Sequence, residues 1–324
     1  RRLLLSYFDE GDGLSYRPQP DRPYYSTILH RAYDAHVAEG FDQARVLWAL
    51  LAWYEDTGDP AIEQRILDLV AALDRAMVQR EDYGYYDRAA IEPDAVISAD
   101  APPMPHQIYF CGAQIQPLVE CGRRLGMDRA MDLAGRLAKF LFLRSNYIQE
   151  DGGWRVGGQG GFGTAENDGH SHARLAAIAG ATHWARLAGD DALARRARRA
   201  YDWFADRYCA EFGWSPEFLG RGDLADEACE TCVIMDQLHC ALAFAEAGDT
   251  GQYEKIERIV RNQLFENQLL DTSFILSTRP RADTEQSSFT EVAGRVRGGF
   301  AGWAGVNDLI GNSPHSRNLM NCCG

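Results

Sequence analysis

The chain has 324 residues, of which 46% are hydrophobic, and its formal net charge is −14 at pH 7. This length and apolar content are ample for a sizeable core, in one large domain or two smaller ones. The acidic balance argues against a nucleic-acid partner, because phosphate binding needs clustered Lys and Arg. The sequence contains no run of about twenty apolar residues, so no membrane span is expected.

The two ends of the chain predict a piece of a longer protein. The sequence opens at Arg1 without a methionine and stops at Gly324, directly after Cys323. We therefore expect residues 1–324 to form a single domain that is truncated at both ends. No signal peptide is recognisable, so a cytoplasmic location is the working expectation, and the oligomeric state stays open.

Helical hairpins recur along the chain. Apolar helical periodicity runs through 41–55, stops at Thr57-Gly58-Asp59-Pro60 and resumes through 61–78. The pattern returns at 108–143 around Gly126, at 170–208 around Gly189-Asp190 and at 229–270 around Gly248-Asp249. A glycine that ends one helix and an acidic residue that opens the next are typical caps. The repeat predicts an all-α toroid of hairpins, the (α/α)6 barrel, with an open α-solenoid as the alternative.

Long connections separate the hairpins, at 83–105, 146–169, 211–226 and 271–317. Connections of this length in a compact domain are usually functional, and in a toroid they can gather at one mouth. They are rich in Gly, Trp, Tyr, Asp and Glu. Aromatic faces and carboxylates around a cavity suit a carbohydrate, so these loops favour a sugar-acting enzyme over a scaffold.

Two cysteine motifs could close a zinc site. Cys229-Glu230-Thr231-Cys232 offers thiols and a carboxylate, and Cys322-Cys323 offers two more thiols. Zinc prefers thiolate, imidazole and carboxylate ligands in a tetrahedron. The predicted ligands are Glu230, Cys232, Cys322 and Cys323. The alternative is a set of free, half-buried thiols, because cysteine is among the most buried residue types.

These motifs resemble a known enzyme family. Glu230-Thr231-Cys232, the helical stretch 256–264 and Cys322-Cys323 are similar to the bacterial β-L-arabinofuranosidases, over most of the chain after about Tyr109. The resemblance implies an (α/α)6 catalytic domain followed by β-sandwich domains. It implies a retaining glycoside hydrolase that releases β-L-arabinofuranose or a related sugar. It also implies zinc on the four predicted ligands, with Cys322 as the nucleophile.

The resemblance further implies a proton donor and sugar contacts. Glu217 resembles the family's acid/base glutamate, and Glu227 is the rival for that role. His170 resembles the histidine that opens a substrate-lining helix. Gln114 stands where the family usually has a sugar-contacting histidine, and Trp214 is a candidate stacking face beside Glu217. The expected substrate-binding residues are therefore His170, Gln114 and Trp214.

The chemistry can be stated from the residue types. A coordinated thiol is deprotonated, so a zinc-bound Cys322 would be ready to attack an anomeric carbon. A carboxyl group can protonate the leaving oxygen and then deprotonate water, and two displacements give retention.

Two other classes stay open. The first is a conventional glycosidase, lyase or epimerase on the same toroid, with inert cysteines. Its candidate residues are Asp94, Glu166, Asp168, His170 and His172. The second is a non-catalytic helical module with a structural zinc, which would unfold when the metal is removed.

Overall fold

The computed structural model describes residues 2–8, 11–16, 24–26, 31–33, 37–104, 107–156, 169–220, 229–273 and 291–304. Five of the residues singled out above lie outside these ranges: Glu166, Asp168, Glu227, Cys322 and Cys323. Within the ranges the chain is built of helical hairpins, with short strands in the connections. No helix in them is long and apolar enough to cross a membrane.

Four hairpins follow one another in the described ranges, after a short first helix α1 (Arg2–Leu5) and a 3-10 turn (Ser6–Phe8). They are α2 (Gly40–Thr57) with α3 (Pro60–Ala76), α4 (Gln107–Leu125) with α5 (Asp128–Lys139), α6 (Ser171–Ala188) with α7 (Asp191–Tyr208), and α8 (Thr231–Glu246) with α9 (Gln252–Ile259). Two π-helical turns extend α5 and α9, Phe140–Arg144 and Val260–Leu264, and a short α10 (Val292–Arg295) follows. The predicted breaks therefore separate the two helices of each hairpin.

The caps at two of these breaks are those that the sequence predicts. Gly58 and Gly189 end α2 and α6 with φ of 62° and 70°, a left-handed conformation that glycine adopts without strain. Asp59 and Asp190 then accept hydrogen bonds from backbone N–H groups in the first turns of α3 and α7. Asp249 was expected to open α9 in the same way, but it binds arginine and glutamine side chains, because α9 begins later.

The first helix of each hairpin forms the inner wall, and α2, α4, α6 and α8 pack on one another in succession. Glycines let α4 and α6 approach closely. A Cβ on Gly112 of α4 would lie 3.0 Å from the Ala177 Cβ, and one on Gly180 of α6 would lie 2.8 Å from the Ile115 Cβ. Two of these inner helices, α4 and α8, are buried on most faces, as expected for helices at the centre of a toroid.

Gly180→Ala should destabilise the protein by about 1–3 kcal/mol, because the added methyl group overpacks the α4–α6 contact. The free energy of unfolding in urea measures the loss. Gly251→Ala is the matched control, since a Cβ there would meet only the Asp249 carboxylate oxygen, at 3.4 Å. A loss at Gly180 no larger than at Gly251 would show that the helices separate without cost.

The connections are tied to the N-terminal ends of the inner helices. The backbone N–H of Gly40 donates to Ala89 O at 3.1 Å, that of Ser171 to Glu217 O at 2.8 Å, and that of Thr231 to Gly302 O at 2.9 Å. The described strands form antiparallel pairs: β1 (Tyr24–Ser26) with β2 (Arg31–Tyr33), β3 (Ala38–Glu39) with β6 (Ala90–Ile91), β4 (Val78–Gln79) with β5 (Gly84–Tyr85), and β7 (Cys229–Glu230) with β8 (Trp303–Ala304). The long connections therefore meet the inner helices at one end, which we call the mouth.

Candidate functional site

A cavity of about 400 Å³ opens between the inner helices, towards their N-terminal ends. We call it the axial cavity. Phe41, Arg45 and Trp48 line it from α2, at the i, i+4, i+7 spacing that places side chains on one helix face. His172 of α6 also lines it, with its ring edge-on to Phe41 at a centroid distance of 6.2 Å, together with residues of α8. Its volume lies within the range of small-molecule sites.

Three of the predicted site residues converge at the mouth. His170 directly precedes α6, Glu230 directly precedes α8, and Glu217 lies in the connection from α7 to α8. The His170 Nε2 atom is 3.2 Å from Glu230 Oε2 and 4.0 Å from Glu217 Oε1. Each residue offers one possible metal-ligand atom, and these three atoms all lie within 4.8 Å of one another. The side chains predicted as sugar contact, proton donor and metal ligand therefore share one site, which we call the mouth cluster.

Backbone pairing and aromatic rings hold His170 in this position. His170 and Phe218 form an antiparallel bridge, supported by the hydrogen bond from Leu219 N to Gly169 O at 3.1 Å. Gly169 has a φ of 74°, and a Cβ there would lie 2.3 Å from Leu219 O, so the close approach requires glycine. The Tyr109 ring stacks on the imidazole with centroids 5.3 Å apart, and the Phe218 ring lies 4.8 Å away.

A second polar group faces the axial cavity beside the mouth cluster. His172 Nδ1 is hydrogen bonded to Asp236 Oδ2, and His239 Nδ1 lies 3.5 Å from Asp236 Oδ1. The His172 ring meets the His170 ring edge-on, with centroids 5.5 Å apart. The His172 Nε2 atom is buried, and it has no hydrogen-bond partner in the described part of the chain.

The charges of His172 and Asp236 strongly affect each other's pKa. Burial by itself lowers the pKa of His172, but attraction to the Asp236 carboxylate and the hydrogen bond to it outweigh burial, so the pKa is raised. Burial raises the pKa of Asp236, but His172, with help from His239, lowers it to about 2. Both shifts favour the ionised pair, an aspartate beside an imidazolium.

Sequence reasoning named His172 but missed Asp236 and His239. The signal was present, because Cys232, Asp236 and His239 follow the i, i+4, i+7 spacing of one face of α8. An analysis of helical periodicity that included polar residues would have placed Asp236 and His239 on the same face of α8 as Cys232.

Two predicted zinc ligands lie in the described ranges. The Glu230 carboxylate belongs to the mouth cluster, whose imidazole and carboxylates are ligand types that zinc accepts. Cys232 lines the axial cavity. Cys322 and Cys323 lie outside the described residues, so the four-ligand site stays a prediction.

Cys229, the first cysteine of the Cys229-Glu230-Thr231-Cys232 segment, is a buried thiol. Cys229 packs with Ile234, Leu238 and Ile259 between α8 and the end of α9. Burial raises its pKa to about 12, which keeps the thiol protonated. No disulfide is formed among the described cysteines. Cys229 therefore fits the alternative of an inert thiol, in agreement with its absence from the predicted ligand set.

Three further candidates lie away from the axial cavity. Gln114 is fully buried, and its amide donates to Gly40 O at 3.0 Å and accepts from the Tyr86 hydroxyl at 2.6 Å, so it ties α4 to the start of α2. Trp214 is buried against α8 in the same small core as Cys229. Asp94 lines a different cavity, beside α3. Sugar contacts by Gln114 and Trp214 stay predictions.

Neither a protein-family model nor a curated protein sequence matches the chain. Solved structures match it in three dimensions. The cellobiose 2-epimerase of Bacillus thermoamylovorans B4167 is 15% identical with a TM-score of 0.55, over 84% of this chain and 74% of that chain. The GH76 α-mannanase of Bacteroides thetaiotaomicron is 9% identical with a TM-score of 0.56, over 82% and 71%.

These two similarities, at such low identity, show the fold alone. They confirm the predicted all-α (α/α)6 toroid of helical hairpins. A GH127 β-L-arabinofuranosidase of Geobacillus stearothermophilus T6 also matches, with 15% identity and a TM-score of 0.43 over 82% of this chain and 50% of that chain. A likeness of that size carries no argument for the family.

Proposed function

We propose that the chain is an enzyme acting on carbohydrates, and that its reaction is the retaining hydrolysis of a glycosidic bond, with β-L-arabinofuranose or a related sugar as the released unit. The main support for the proposal is that carboxylate oxygens of Glu217 and Glu230 and a ring nitrogen of His170 lie within 4.8 Å of one another at the mouth. The axial cavity beside them offers the rings of Phe41 and Trp48 as faces for a sugar.

The proposed roles follow from these positions. Glu217 protonates the leaving oxygen and then deprotonates the attacking water. His170 Nε2 lies within hydrogen-bond distance of Glu230 and 4.0 Å from Glu217 Oε1. Glu230 and Cys232, with Cys322 and Cys323, would hold zinc, which keeps a coordinated thiol deprotonated. Cys322 is the proposed nucleophile.

A second reaction has an observation of its own. Asp236 binds His172 Nδ1, and this leaves the buried Nε2 atom at the cavity wall as the group that can exchange a proton. A carboxylate that fixes an imidazole in this way is a common acid–base arrangement. An imidazolium in this position suits an epimerase, which returns a proton to a sugar carbon, or a lyase, which protonates the leaving oxygen.

The decisive experiment compares zinc content and turnover in Cys322→Ser and Cys323→Ser. Cys322→Ser should keep much of its zinc but lose nearly all turnover, because a serine hydroxyl is a far weaker nucleophile at neutral pH. Cys323→Ser should lose zinc first and activity as a consequence. Mass spectrometry of cysteine-containing peptides should find the trapped sugar on Cys322.

Two results would overturn hydrolysis by the thiolate. One is a sugar adduct on a carboxylate, and the other is full activity of metal-free protein. Incorporation of solvent deuterium at a sugar carbon, lost in His172→Asn, would instead establish the second reaction.

A further inference from the structure

The axial cavity contains a guanidinium for which the described residues supply no carboxylate partner. Arg45 lies on the cavity-facing side of α2, and its Cζ atom is 4.6 Å from the centre of the Phe41 ring. Its side chain is exposed, and it forms no ion pair with any residue in the described ranges. Several arginines elsewhere in those ranges lie on carboxylates: Arg88 on Asp87, Arg129 on Asp74, Arg144 on Asp82 and Arg198 on Asp249.

The rest of the cavity wall leaves this positive charge uncompensated. Among the described residues that line the cavity, Asp236 is the acidic one. Its two carboxylate oxygens face His172 and His239. The His172 Nε2 atom adds a further nitrogen with no described partner at the same wall. Arg45 and His172 therefore give the described lining more positive than negative charge, while the two carboxylates of the mouth cluster lie beside it. A positive concave surface attracts anions of matching size.

We infer that the axial cavity takes an acidic sugar, a uronic acid to which the released unit is linked, with the carboxylate on Arg45. This inference rests on the proposed function, since it assumes that the cavity is the sugar site. The planar guanidinium can bind a carboxylate through two parallel N–H···O bonds, which a neutral hydroxymethyl group cannot form. The Phe41 ring lies against the guanidinium and supports its orientation.

The charge count selects a carboxylate over a phosphate. Arg45 is the arginine of the described lining, and one guanidinium matches the single charge of a uronate. A phosphate monoester carries about −1.5 to −2 charges and usually needs several donors. Trp48 lies on the same face of α2, where its ring can stack on the sugar ring whose carboxylate Arg45 holds.

The test is calorimetric titration of the full chain with matched ligands: galacturonate, its neutral methyl ester, galactose, and acetate as a carboxylate without a sugar. Galacturonate should bind at least about tenfold more tightly than the other three, as a charge-assisted pair implies. Arg45→Gln should reduce galacturonate affinity to that of the methyl ester and leave galactose affinity unchanged. Arg195→Gln, at an exposed position on α7, is the matched control and should change nothing.

Each other outcome has a defined meaning. Equal affinities for galacturonate and galactose would overturn the inference and leave the sugar-acting proposal standing. Acetate that binds as tightly as galacturonate would reveal adventitious attraction of anions, which also overturns it. A folded protein that binds none of the sugars, checked by circular dichroism, would remove both the inference and the proposed function.

Discussion

Glu217→Gln should slow hydrolysis of sugars with poor leaving groups by about 10²–10⁴-fold, the usual contribution of a positioned acid or base. Glutamine keeps the shape of the side chain but cannot protonate the leaving oxygen. An activated aryl glycoside leaves without that proton, so its cleavage should slow much less. The measurement is kcat/KM for a disaccharide and for a nitrophenyl glycoside of the same sugar.

Glu211→Gln is the matched control for this prediction. Glu211 is exposed in the same connection between α7 and α8, so its replacement should change neither rate. Equal losses on both substrates in Glu217→Gln would argue against proton donation by Glu217. If Glu227→Gln produces the substrate-dependent loss instead, the acid/base role belongs to Glu227.

The hairpins could be predicted because their signals are local. The Gly58-Asp59 break needs a left-handed residue and a side-chain acceptor within two neighbouring positions, and both can be recognised from residue type. The π-helical turn Phe140–Arg144 could not be predicted, because its residues continue the apolar helical pattern of α5. Its geometry depends on packing against helices distant in sequence.

The candidate site was predictable only where a motif carried it. Glu217 and Glu230 lie in one cluster, and the roles that the resemblance implies for them stay proposals. Gln114 was placed by the same resemblance, but its amide is satisfied by Tyr86 of the α3–α4 connection and by Gly40 of α2, which come near it only in the folded chain. Asp236 was missed because the role of a buried carboxylate becomes clear only from the residue that it pairs with. Its partner His172 lies on a different helix, far away in sequence.

The largest expected effect on stability comes from Asp236→Asn. It removes one partner of a buried ion pair and leaves the His172 imidazolium without its counter-charge, which typically costs about 3–5 kcal/mol. The free energy of unfolding in urea, followed by tryptophan fluorescence, measures the loss. Asp132→Asn is the control, because Asp132 pairs with Arg136 on the surface of α5 and such a pair is worth about 0.3–0.5 kcal/mol.

This loss should depend on pH with a defined sign. The pKa of Asp236 falls from 3.8 to about 2 on folding, so its stabilisation is complete above pH 3.8 and disappears as pH falls towards 2. The pKa of His172 rises from 6.5, so its stabilisation is complete below pH 6.5 and disappears as pH rises through the higher folded value. The difference between wild type and Asp236→Asn should therefore be largest between pH 3.8 and 6.5 and shrink on both sides. A difference that stays constant from pH 3 to pH 9 would show that Asp236 stabilises the fold without pairing its charge to His172.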